Sequence, residues 1–128
     1  MAAINSFEDL EVWQMSMTLT EECYRLTSRF PREEIYGLIS QMRRASVSVP
    51  SNIAEGHGRE NTGAFIQHLR IAQGSLKELQ TQLLLTARLE MAPKQDLQPW
   101  LEKCQRIGKM LRSLIRRLQE HVADKQEQ

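Results

Sequence analysis

Apolar residues recur along this chain at steps of three and four, and that spacing lays out four helical segments. In the first, Leu10, Trp13, Met17 and Tyr24 form one apolar stripe, and Val12, Met15, Leu19, Cys23 and Leu26 form a second beside it. Two stripes exceed what one bundle seam needs. They read either as a broad core face or as one core face and one face for a second subunit. Ser6, followed three residues later by Asp9, opens the segment in the manner of a capping box, and Phe30 and Pro31 turn the chain after Arg29. The second segment carries Ile35, Leu38, Ile39, Met42, Ala45, Val49 and Ile53. Gly56 and Gly58 are expected to end it by taking the left-handed conformation. Asn61 is placed to cap the third segment, where Phe65, Leu69, Ala72, Leu76, Leu79 and Leu83 step by four and three in alternation. Leu84, Leu85 and Leu89 widen its apolar face. The chain turns again near Pro93 and Pro99, and Trp100, Cys104, Ile107, Leu111, Leu114, Leu118 and Val122 face the core from the last segment.

Four segments of about 22 to 28 residues with short connections predict an all-α, antiparallel up-down-up-down four-helix bundle, about 35 to 40 Å long at about 1.5 Å per residue. Residues 1–122 make a single domain, and 123–128 read as a polar tail with nothing to bury.

The stretch "SVSVPSNIAEGHGR", residues 46–59, breaks the helical rules. Its alternation of Ser and Val suits a short strand, but the stripe from Ile39 to Ile53 runs straight through it, so one helix kinked at Pro50 is expected. The proline removes one backbone hydrogen bond and crowds the carbonyl of Ser46, at a cost of about 3 kcal/mol. Ser46 and Ser48 are small enough for close helix approach and carry hydroxyls for freed carbonyls. Asn52 needs partners if it faces inward, with Glu55, Arg44 and Gln82 as candidates. The residues support a satisfied polar cluster at the kink or, alternatively, a ligand or partner site there.

The run "SQMRRASVSVPSNIAEGHGR" closely resembles the signature of a bacterial family of four-helix-bundle proteins, first noticed as products of intervening sequences within 23S ribosomal RNA genes. The resemblance rests on Ser40, Gln41, Arg43, Arg44 and Ala45, then Ser48, Pro50, Asn52, Ala54, Glu55 and Gly56. "FEDLEVWQ" at 7–14 and "FIQHLRIAQGSLKELQTQL" at 65–83 are similar to the family's first and third helices, whereas the last helix matches only in character. The chain departs from the pattern at Ala64, where a capping acid is usual, and at Gln80, where Glu is usual. The resemblance implies a bundle that assembles into homo-oligomeric, commonly pentameric, rings. It extends to accessory proteins of diversity-generating retroelements, which support a reverse transcriptase and bind nucleic acid. It brings no catalytic residue and no cofactor.

Composition narrows the function classes. The N-terminus is acidic and lacks an apolar core of signal-peptide length, and no apolar run spans a bilayer, so a cytoplasmic protein without a membrane partner is expected. Cys23 and Cys104 read as buried hydrophobes. His57, His68 and His121 have no metal-ligand spacing, and no nucleophile motif is present; Glu55 with His57 would make an acid-base pair only if both faced a cleft. The reading is a non-enzymatic protein. The net charge of +1 is unevenly spread: residues 61–128 hold eleven bases against seven acids. Lys103, Arg106, Lys109, Arg112, Arg116 and Arg117 lie opposite the core stripe of the last helix, and such a row can follow a phosphate backbone of RNA or DNA. The competing reading is a solvated face, partly paired through Glu102 with Arg106 and Arg116 with Glu120. Arg43 and Arg44 point about 100° apart, so one is expected inside against Glu55 or another carboxylate and one outside. Arg59 resembles a phosphate loop only in its glycine neighbours. The expected function is that of an oligomeric accessory protein binding nucleic acid, a protein partner or both through the basic helix face. The alternative is a protein-interaction scaffold that binds no nucleic acid.

Overall fold

The first helix starts later than a cap at Ser6 predicts. In a computed structural model, which describes residues 6–34 and 37–127, the Ser6 hydroxyl accepts from the Glu8 amide at 3.1 Å, but it closes only a short 3-10 turn over Phe7–Asp9. Leu10 is extended, and helix α1 runs from Glu11–Thr27. Helices α2 (Leu38–His57), α3 (Thr62–Arg88) and α4 (Lys94–Glu127) follow, and no strand occurs among the described residues. Each helix packs on its neighbour in sequence, and α1 closes the bundle against α4. Contacts from Ser48 to Ser75 and from Asn52 to His68 fix α2 and α3 as antiparallel. The architecture is the expected four-helix bundle.

The core is made largely by the predicted stripes, with additions. Phe30, Leu97, Ile115, Gln82 and the hydroxyl residues Ser16, Thr27 and Thr86 are buried as well. Leu97 was hidden by the reading of Pro99 as a turn. The chain turns at Met91–Pro93 instead, and Pro99 lies in the second turn of α4, where the missing amide removes a single helical bond. At its other end α4 continues through the residues read as a polar tail, to Glu127. Ile35 lies outside the described residues. The two stripes of α1 part company: Val12, Leu19, Cys23 and Leu26 are buried, whereas Met17 and Tyr24 stay exposed.

The glycines of the second segment do something other than expected. No glycine has positive φ; the left-handed residue that turns the chain is Glu60, at φ 57°. Gly58 caps α2 in the right-handed region, and Gly56 is buried inside the helix. A Cβ on Gly56 would stand 2.6 Å from His68 Cβ and 3.0 Å from Phe65 Cδ1. The residue is there so that α2 and α3 can touch. Asn61 caps α3 as expected, its Oδ1 accepting from the Ala64 amide at 2.8 Å.

Cys23 and Cys104 are both buried. The Cys104 thiol is pushed up to about 12, first by burial and then by the neighbouring Cys23, against smaller opposing effects of Lys103 and Lys77. Since the thiolate is the reactive form, Cys104 should resist a maleimide at pH 8 until denaturant opens the bundle. Rapid labelling of the native protein at this residue would remove it from the core. The sign of the pH effect follows: the unfolded thiol ionises near 9.0 and the folded one near 12, so stability falls as pH rises from about 9 to about 12.

Candidate nucleic-acid interface

Helices α3 and α4 meet along a seam floored by Leu76 and Cys104, and the positions flanking that seam on both helices are long and polar. The result is a groove of two adjoining segments, about 430 and 460 Å³, that share Lys77, Gln80 and Gln105. Lys109 and Arg112 line one end, and Lys94 lines the other, where a further hollow adds Arg88. Five cations therefore border one seam, two from α3 and three from α4. No acid lines it among the described residues. Between the cations stand the amides of Gln73, Gln80, Gln98 and Gln105, and the apolar Leu84 and Leu101.

The basic row read from the last helix is split by this packing. Lys103 turns to α1 and pairs with Glu22 at 2.6 Å, both side chains largely covered. Arg106 also faces α1 and lies 4.0 Å from Glu11, whereas the expected pairing with Glu102 is not formed among the described residues. Arg117 borders a hollow with Asp9 and Glu11. Lys109 and Arg112 turn to the α3 groove, and Arg116 is exposed one turn beyond Arg112. Three of the six cations therefore stand beside acids of α1 or the turn before it, and the other three share their side of α4 with the groove.

Lys77 and Arg88 were absent from the sequence reading. Their signal was nonetheless present: Arg70, Lys77 and Arg88 are spaced by seven and eleven residues, which returns each to the same side of a helix.

The 46–59 stretch makes a polar cluster between α2 and α3. Asn52 Nδ2 donates to the Ser48 carbonyl at 2.8 Å and lies 3.0 Å from Ser48 Oγ, which in turn is 2.7 Å from Ser75 Oγ. Asn52 Oδ1 faces His68 Nδ1 at 3.1 Å; an amide oxygen only accepts, so Nδ1 carries the proton. These partners replace Glu55, Arg44 and Gln82, the three expected for Asn52. Gln82 instead donates to Glu78 at 3.2 Å, and its Oε1 is buried without a partner among the described residues. Glu55 pairs with Arg59 at 3.0 Å and lies 4.0 Å from His68, not against His57, which packs edge-on to Phe65. Arg43 is the half-buried member of its pair, yet no carboxylate meets it among the described residues: Nε donates to Thr27 Oγ1 at 2.9 Å, and the guanidinium lies 4.7 Å from the Tyr24 ring centre. Arg44 is exposed. Arg43, Ser48 and Asn52 of the motif thus tie α2 to α1 or α3, whereas Ser40 and Gln41 make no side-chain hydrogen bond among the described residues and Glu55 holds Arg59 one turn further on. Among the described residues no group of three or more His, Cys, Asp or Glu side chains is placed to hold a metal, and no helix is long and apolar enough to cross a membrane.

Fold and surface together define a helical bundle with a basic interhelical groove. Residues 8–113 match the 23S rRNA-intervening sequence protein family, and the chain belongs to that family. Its fold is similar to that of a crystal structure from Bacteroides thetaiotaomicron, described as a protein with unknown function from the S23 ribosomal protein family. The TM-score is 0.73 at 22% identity, over 81% of this chain and 97% of the other. No curated protein matches the sequence.

Proposed function

We propose that this protein is a non-enzymatic accessory protein that binds RNA by phosphate contacts along the α3–α4 groove, acting as a homo-oligomer beside a protein partner. The observation that carries the reading is the five-cation border with no acid among the described residues, on a chain whose net charge is only +1. Phosphate neutralisation is the use that such segregation of charge suits best. The family's association with an rRNA gene agrees with it. Oligomerisation is supported by large apolar side chains left on the surface, Met17 and Tyr24 on α1, Ile71 and Leu85 on α3, and Leu89 just after α3. A ring would repeat a weak groove several times and raise its affinity through multivalency.

Reversing Lys77, Lys109 and Arg112 to glutamate together should weaken binding of an RNA oligonucleotide by about a hundredfold or more at low salt. The helical signal and the unfolding midpoint should stay unchanged, since all three side chains are exposed. An affinity equal to that of the parent sinks the reading. Light scattering on the same samples should give about 75 kDa, the mass of five 14.9 kDa chains. The same exposed apolar residues favour a second reading, a protein-interaction scaffold whose basic face is only solvated. That reading requires RNA binding to be absent at physiological salt and a protein partner to survive nuclease treatment.

A further inference from the structure

We infer that the groove takes a single strand of RNA rather than a duplex, an inference that rests on the RNA-binding reading and names its substrate class. A helix that reads a duplex presents its side chains as a convex ridge for insertion into the major groove, and in A-form RNA that groove is too deep and narrow for side chains to read. Here the cations stand on the two lips of a concave seam: Lys77 and Arg88 on α3 face Lys94, Lys109 and Arg112 on α4. Such an arrangement meets one backbone from both sides. The floor between the lips holds amides and apolar surface, with Leu84 about half exposed. Those groups are useful only to bases whose edges and faces are free, as they are in an unpaired strand.

Gly108 supplies an independent observation. It sits in the middle of α4, where glycine costs about 1 kcal/mol relative to alanine. Nothing in the bundle forbids a side chain there: an added Cβ would lie 3.5 Å from Leu76 Cδ2, an ordinary contact. What glycine does at this position is leave the groove floor open beside Lys109, where Gly108 lines the hollow. From Lys94 to Arg112 the groove runs about 27 Å along α4 at about 1.5 Å per residue. That places it at the small end of the roughly 4–16 nucleotides covered by single-strand-binding modules. With five cations along it and no aromatic residue lining it among the described residues, binding in the groove rests on phosphate contacts and is strongly salt-dependent.

The test compares an unstructured RNA of about 12 uridines with an RNA hairpin of similar charge, both titrated by fluorescence anisotropy against the full chain. The single strand should bind about tenfold or more tighter, with log K falling against log salt at a slope near −3.5 for five phosphate contacts. Gly108→Leu fills the floor without altering charge and should remove the preference, while circular dichroism and the unfolding midpoint report that the bundle is intact. Lys77→Gln, at an exposed position, should lower the slope by about 0.7 and does not depend on how Gly108→Leu folds. Equal binding of hairpin and strand, or an intact Gly108→Leu protein that keeps the preference, overturns the single-strand inference and leaves RNA binding standing. Failure of both RNAs to bind at low salt overturns the RNA-binding reading and this inference with it.

Discussion

Replacing Gly56 by valine is expected to lower the stability of the bundle by roughly 3 kcal/mol, the upper end of what overpacking a well-filled interior costs. The reason is the Cβ position, 2.6 Å from His68 Cβ and 3.0 Å from Phe65 Cδ1. His68 Cβ is fixed to the backbone of α3, so relief requires the two helices to separate. Separation would also stretch the bond between Asn52 and His68, which lies one turn further along the same contact. Gly56→Ala isolates the effect of the Cβ: it gains about 1 kcal/mol of helix propensity and should still be a net loss. Gly74, exposed on α3 with nothing within 4 Å of an added Cβ, provides the contrast. There the same change should stabilise by about 1 kcal/mol. Urea unfolding of the three variants measures both signs. A stabilising Gly56→Ala would mean that α2 and α3 do not approach as closely as described.

Gly56 also shows where reading from sequence stops. Leu38 to Ile53 and Leu69 to Leu83 could be assigned to a core from spacing alone, since a helix that must bury one face repeats its apolar residues at a fixed step. Glycine carries no such periodic signal. It serves equally a left-handed cap or a close helix contact, and only the neighbour across the interface decides between them. The left-handed role fell to Glu60 and Glu90, residue types that do not announce it. The basic site was legible in the same partial way. Lys109 and Arg112 could be found on their own helix, but their grouping with Lys77 and Arg88 is a fact of how α3 meets α4. Lys103 and Arg106 looked equivalent to Lys109 on the helix wheel, and the acids that engage them belong to a helix some 80 to 95 residues earlier in the chain.

Thr20→Val should destabilise the protein by about 1 to 3 kcal/mol, and the loss should nearly vanish when Pro50 is alanine. Pro50 has no amide to give to the carbonyl of Ser46, four residues before it, and Ser46 is fully buried. Thr20 Oγ1, on α1, lies 2.9 Å from that carbonyl oxygen. The same hydroxyl is 2.9 Å from the Ser16 carbonyl, which already receives the amide of Thr20 within the helix, so the Ser46 carbonyl is the acceptor that depends on it. Valine keeps the shape of threonine and removes only the donor. In the Pro50→Ala background the alanine amide can reach Ser46, and the hydroxyl becomes redundant. Denaturation of the four proteins of this double-mutant cycle gives the coupling directly, expected at about 1 to 3 kcal/mol, nearly the whole of the loss in the parent. Equal losses from Thr20→Val in the two backgrounds would separate the hydroxyl from the proline. A positive coupling would show how a helix of this bundle carries an interior proline: the bond missing within α2 is supplied from α1, which ties the family's most irregular stretch to its first helix.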